Sequence, residues 1–273
     1  MESAIRESYA PAAERLAELA RTEQPAAVAA TADELLAVAD LLGAQPALRR
    51  ALSDPARRGE DRAALLRDLL GARVGAAATE LVAALVAGRW PSGAALRDAV
   101  ERLGVDAVLA SAESAGELAE VEDELFRFGQ VVRGAPQLAA ALGDASAPVP
   151  RRAELVRALL AGKARSATVR LAVLAVAGFG GRGFVAGLSR LVELAAERRE
   201  RQVAYVTVAS ALSEADERRL GDALRQLYGR EVSVKLTVDP EVLGGMSVRV
   251  GSDLYDGTVA RRLTDIRNAL ARR

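Results

Sequence analysis

Pro46-Ala47-Leu48-Arg49-Arg50-Ala51-Leu52-Ser53-Asp54 is written again, 90 residues later, as Pro136-Gln137-Leu138-Ala139-Ala140-Ala141-Leu142-Gly143-Asp144. The register continues without a gap. Arg62, Ala63, Leu65, Arg67, Leu69 and Leu70 answer to Arg152, Ala153, Leu155, Arg157, Leu159 and Leu160, and Leu81, Val86 and Gly88 answer to Leu171, Val176 and Gly178. A chain rich in Ala, Leu and Arg yields some identities by composition, but matched Pro, Asp and Gly are harder to obtain that way. A fixed period of this kind marks a duplicated structural unit.

Around the repeat, apolar residues recur at spacings of three and four from the start of the chain to about Glu200, which is the helical period. Between Ser92 and Ser111, Leu96, Val100, Leu103 and Ala107 make one stripe while Arg97, Asp98, Glu101 and Arg102 fall mostly off it. Each copy parses as a long helix, a short helix opened by Pro46 or Pro136, a loop and two further helices; Pro suits a helix start because its missing N–H has no partner there. The long helix of the second copy is expected over 113–132, with Leu118, Val121, Leu125, Phe128 and Val132 on one face. After Arg201 the period drops to two. Val203 to Ala209 is β-branched and apolar, Val232, Val234, Leu236 and Val238 alternate with polar residues, and Met246, Val248 and Val250 do so again. A helix opened by Ser213 and carrying Leu220, Leu224 and Leu227 separates the first two strands. A last helix after Asp256 carries Val259, Leu263, Ile266 and Leu270. The expected class is α+β: tandem helical bundles over 1–112 and 113–200, then a small βαββα domain over 201–273.

Composition narrows the chemistry. Of 273 residues, 37 are Lys or Arg and 37 are Asp or Glu, so no net field draws the chain to a polyanion, and the 3% of aromatic residues offer few platforms for stacking bases. Nucleic acid is not an expected partner. With no Cys and no His, disulfides, thiolate chemistry and the commonest general base and metal ligand are absent. Neither catalysis nor a cofactor is expected. The first nine residues carry acids and no apolar run, unlike a secretory signal, and the charge-free stretches 171–181 and 202–213 are shorter than the roughly 20 residues of a spanning helix. Membrane insertion is not expected.

Three motifs invite a chemical reading and fail it. Gly178-Phe179-Gly180-Gly181-Arg182-Gly183 fits G-x-G-x-x-G, but its repeat partner lies after a helical segment, so the preceding run reads as helix rather than the strand a dinucleotide site needs. Gly162-Lys163 lacks the first glycine and the hydroxyl residue of a phosphate loop. The acids Glu120, Glu122, Asp123 and Glu124 fan around a helix instead of converging on a cation, and read as a solvated face.

One stretch is more specific than hairpin chemistry requires. It runs Asp239-Pro240-Glu241-Val242-Leu243-Gly244-Gly245-Met246-Ser247-Val248-Arg249-Val250-Gly251 and is followed by Asp256-Gly257-Thr258 and Leu263. This pattern resembles the C-terminal signature of the ATP synthase delta subunit family, which includes the mitochondrial oligomycin-sensitivity-conferring protein. Ser8-Tyr9-Ala10-Pro11-Ala12-Ala13 is similar to the family's opening helix, with Ser8 where a basic residue is usual and Pro11 intruding. The resemblance implies a non-catalytic stator protein of a proton-translocating ATP synthase, peripheral on the cytoplasmic face of the cell membrane. It implies two partners: a helical bundle holds the N-terminal helix of an alpha subunit, and the C-terminal domain engages the b-subunit stalk. Tyr9, Leu243, Gly244, Gly245, Val248, Val250, Gly251, Asp256, Gly257, Thr258 and Leu263 are the residues that carry the signature. The family's usual chain has one bundle, whereas here the unit appears twice. A helical-repeat adaptor of another complex would account for the duplication but not for the signature.

Overall fold

The computed structural model describes residues 3–199, 202–228, 232–240, 242, 244–250, 253–259 and 261. Helices α1 (Ser3–Thr22), α2 (Pro25–Ala44), α3 (Pro46–Ser53), α4 (Gly59–Leu70), α5 (Ala76–Ala87) and α6 (Gly93–Ser114) come first. They are followed by α7 (Leu118–Arg133), α8 (Pro136–Gly143), α9 (Val149–Leu160), α10 (Ser166–Ala177) and α11 (Phe184–Arg198). The bounds of α8, α9 and α10 are those of α3, α4 and α5 moved by 90 residues. The same shift carries the start of α1 onto the start of α6, so α6 is the last helix of one unit and the first helix of the next.

The duplication extends to side chains that tie the loops. Buried Arg62 donates to the carbonyls of Asp54, Arg57, Val86, Ala87 and Gly88, and Arg152 donates to those of Leu142, Ala147 and Val176. Each arginine thereby pins the loop before its own helix to the end of the helix 24 residues on. Asp54 and Asp144 accept from the backbone two residues ahead, closing matched turns. Glu34 accepts from Gly75 N–H and Glu124 from Arg165 N–H, again 90 residues apart.

Buried residues of both units form one continuous core running from Tyr9 to Val203. Its axis is α6, which buries residues on every side because α2 lies against it from the first unit and α10 and α11 from the second. Gly104 permits the close approach of α2: a Cβ there would stand 2.7 Å from Leu36 Cδ2. At the open end, α1 buries one stripe, Tyr9, Ala12 and Leu16, as expected of a terminal helix in a stacked repeat. Ser92 caps α6 by accepting from Ala95 N–H at 3.1 Å. The helix expected over 113–132 is in fact divided: α6 runs to Ser114, Gly116 turns the chain at φ 74°, and α7 begins at Leu118. A boundary at 112/113 therefore falls in the last turn of α6.

Among the described residues, the remainder is a four-stranded sheet with one covering helix: β1 (Gln202–Val208), α12 (Glu214–Tyr228), β2 (Val232–Val238), β3 (Met246–Val250) and β4 (Asp253–Asp256). The strand order is β2-β1-β3-β4, with β1 parallel to β2 and antiparallel to β3. The parallel pair needs a crossover, and α12 supplies it. Ala204, Val206, Val208, Val248 and Val250 pack with Leu224 of α12 in a second core. The expected βαββα order omits β4. Asp253 and Asp256 are poor strand formers and leave only Leu254 and Tyr255 to signal a strand, so pairing with β3 decides it. The expected last helix begins at Val259 and Arg261, while Leu263, Ile266 and Leu270 lie outside the described residues.

Candidate functional site

Beyond the apolar face that it packs on α11, helix α7 presents three others. The first is a seam with the sheet. Glu122, only 1% exposed, accepts from Ser233 Oγ at 2.6 Å and pairs with Lys235 Nζ and with Arg199, each at 3.4 Å. Lys235 is itself 4% exposed; it also bonds the Asp123 carboxylate and lies 5.5 Å from the Phe126 ring centre. Gln130 donates to Thr237, and Phe126 meets Tyr205 at 6.2 Å. Burial pushes the Tyr205 hydroxyl above its ordinary titration range. The acids of this helix are thus not all on a solvated face, as their sequence suggested. Glu120 is exposed, but Glu122 is buried by strand β2, more than 100 residues away in sequence.

The second face lines an apolar groove of ≈ 320 Å³ between α7, α8 and α9, where Phe128, Val131, Leu138 and Leu159 form the walls and Glu124 and Lys163 stand at the rim. Val131 is 59% exposed at this groove. The third face contributes Gln130 and Arg133 to a cleft of ≈ 640 Å³ beside the sheet, lined also by Tyr205, Val238, Arg249 and Leu254. Arg249 stacks on Tyr205 with its guanidinium 5.1 Å from the ring centre. Val238 and Leu254 are more than half exposed there. Sequence periodicity marks Phe128 as apolar-face but gives no sign that Val131, Arg133 and Arg249 border open clefts, since that depends on which neighbours cover them.

The signature residues divide between two places. In the sheet, the glycine pair and the Asp-Gly-Thr turn are clasped together: Gly257 N–H donates to Met246 O at 2.9 Å and Val259 N–H to Gly244 O at 3.0 Å. Gly244 and Gly245 have φ of 117° and 82°, and a Cβ on Gly245 would stand 2.5 Å from Gly257 O. Asp256 accepts from Thr258 N–H and hydroxyl, which hold its carboxyl below the usual range, while Thr258 Oγ1 accepts from Arg261 N–H and caps the last helix. Val248 and Val250 are buried under α12. Leu243, Gly251 and Leu263 lie outside the described residues. Tyr9 belongs to the first helical unit, where its hydroxyl donates to Asp106 Oδ2 at 2.6 Å across the α1–α6 seam.

The glycine loop after α10 is used internally. Gly180 N–H, which a phosphate would need, donates to the buried Glu101 carboxylate at 2.9 Å. Burial raises the Glu101 carboxyl above its usual range, partly offset by that N–H and by Arg97.

Residues 105–270 match the family model described as ATP synthase delta (OSCP) subunit, the match beginning within α6. The chain is 65% identical over 268 residues to an ATP synthase subunit delta of Salinispora arenicola (strain CNS-205), covering 98% of each chain. It is 47% identical over 268 residues to one from Streptomyces avermitilis, again 98% of each, and 41% identical over 271 residues to one from Kineococcus radiotolerans, covering 99% of this chain and 98% of the relative.

Proposed function

This chain belongs to the ATP synthase delta (OSCP) subunit family, and from that membership we propose that it is a stator, a non-catalytic subunit joining the catalytic head of a proton-translocating ATP synthase to its peripheral stalk. The observation that carries the reading is the position of α7, a single helix of 16 residues that walls both the apolar groove and the cleft beside the sheet. Partners seated in the two would be linked through one short rigid element.

The N-terminal helix of an alpha subunit suits the groove. An amphipathic helix is recognised through apolar anchors at spacings of three and four, and Phe128, Val131, Leu138 and Leu159 offer a complementary wall. The end of a b subunit suits the cleft, where Arg133 and Arg249 stand between apolar Val238 and Leu254. The Glu122–Lys235 seam would then carry the load from head to stalk. We assign the three parts as a spacer or second stalk contact over 1–112, the head contact over 113–200 and the stalk contact over 201–273. The subunit is held at the cytoplasmic face of the membrane by its partners; among the described residues no helix is long and apolar enough to cross a bilayer.

The test is calorimetric titration of the alpha N-terminal peptide into the intact chain and into a Val131→Asp, Leu138→Asp variant. The intact chain binds, and the variant binds at least about tenfold more weakly because two wall positions become charged. Equal binding by both would move the alpha contact off this groove. No binding by the intact chain would favour an adaptor of another complex.

A further inference from the structure

In the first helical unit, the α3–α4 and α5–α6 loops enclose a pocket of ≈ 450 Å³ that shares no residue with the surfaces on α7. Four arginines line it, Arg57, Arg58, Arg62 and Arg89, and the indole of Trp90 and the ring of Pro55 form part of its wall. Arg62 is saturated by five backbone carbonyls and belongs to the fold, as Arg152 does in the second unit. The other three are exposed. Arg57 pairs with Asp54 at 3.6 Å and Arg58 with Glu60 at 2.6 Å, both in contact with solvent, so the pocket keeps an excess of positive charge.

The repeat provides an internal control. At the same places in the second unit stand Ala147 for Arg57, Pro148 for Arg58, Phe179 for Arg89 and Gly180 for Trp90, and the same helices form around them. The helices therefore form without these arginines, whereas Trp90 is anchored in the core, its indole N–H donating to Leu85 O at 2.6 Å. Guanidinium groups around one cavity favour carboxylates, which they bind in pairs of parallel hydrogen bonds, and an indole wall gives the aliphatic part of an acidic side chain a surface to lie on. Exposed pairs such as Arg58 with Glu60 hold each other weakly and yield to a competing carboxylate.

We propose that this pocket is a docking site for a short acidic segment of a partner polypeptide, separate from the groove and the cleft on α7. Trp90 is the chain's one tryptophan, so its emission reports the site. The experiment titrates hexaglutamate, and a neutral Gly-Ser hexapeptide as control, into the full-length chain at low salt, reading Trp90 emission and, independently, heat. Hexaglutamate is expected to give a saturable change that weakens with salt, and the neutral peptide none. An Arg57→Ser, Arg58→Ser, Arg89→Ser variant, in which Arg62 and the fold are kept, should bind hexaglutamate at least about tenfold more weakly. Charge reversal to Glu at the same three positions should transfer binding to hexalysine. No response to hexaglutamate, an undiminished response in the triple Ser variant, or tighter binding of a single-stranded oligonucleotide than of the peptide would overturn the proposal. The outcome is independent of whether the alpha peptide binds the groove on α7.

Discussion

Arg62 and Arg152 occupy equivalent places, yet Arg62 satisfies five carbonyls and Arg152 three. Removing either leaves acceptors in the loops without donors, which costs free energy in proportion to how many are sealed from water. Arg62→Ala is expected to lower stability by roughly 3 kcal/mol or more and Arg152→Ala by about half as much. Urea unfolding followed by Trp90 emission, which reports the first unit, should register the former more strongly. Gly245→Ala places a Cβ against Gly257 O at a backbone angle that L-residues avoid. It should loosen the sheet by at least about 2 kcal/mol, read as faster hydrogen exchange across β3. Glu101 adds a pH dependence. Its carboxyl titrates above the usual 4.5 because burial disfavours the charge. The stability it contributes is present below that value and is lost as pH rises through the raised one. Glu101→Gln, which keeps an acceptor for Gly180, should gain stability relative to the unmodified chain as the pH of urea titrations is raised from about 4 to 7.

Among the elements, α6 and α7 decide the architecture. Helix α6 serves two units because neighbours bury it around most of its circumference, the charged Glu101 included, and Gly104 lets α2 pack close enough to seal one side. Helix α7 is amphipathic in the ordinary way, but its polar side is partly enclosed by β2. Breaking that enclosure removes a buried charge partner. With Glu122→Ala, Lys235 loses one of its two carboxylate partners and Arg199 its only ion pair among the described residues. The seam is expected to weaken by about 3 kcal/mol, since removing one partner of a buried ion pair costs more than the pair itself contributes. Hydrogen exchange should show increased opening along β2 and α7 while α3 to α5 stay protected.

At the scale of the whole molecule, the shared helix determines where the chain can be cut. A fragment starting at 113 lacks α6 and leaves the apolar faces of α10 and α11 uncovered, whereas one starting at 92 keeps its cap at Ser92 and the complete second unit. The longer fragment should unfold cooperatively in urea and the shorter one should not, as followed by circular dichroism. The 90-residue repeat, the period of three and four before Glu200, the alternation after Arg201 and the glycine signature are local patterns, imposed by backbone geometry and turn chemistry, and they are readable along one dimension. From the periods and the repeat follow the α+β class and the duplicated helices, and the glycine signature carries the resemblance to the family. Three features do not follow: one helix belonging to both units, β4 as a strand, and an acid beside Lys235 buried rather than solvated. Each depends on which distant segment covers a given face, and burial of that kind is settled only when the chain has packed.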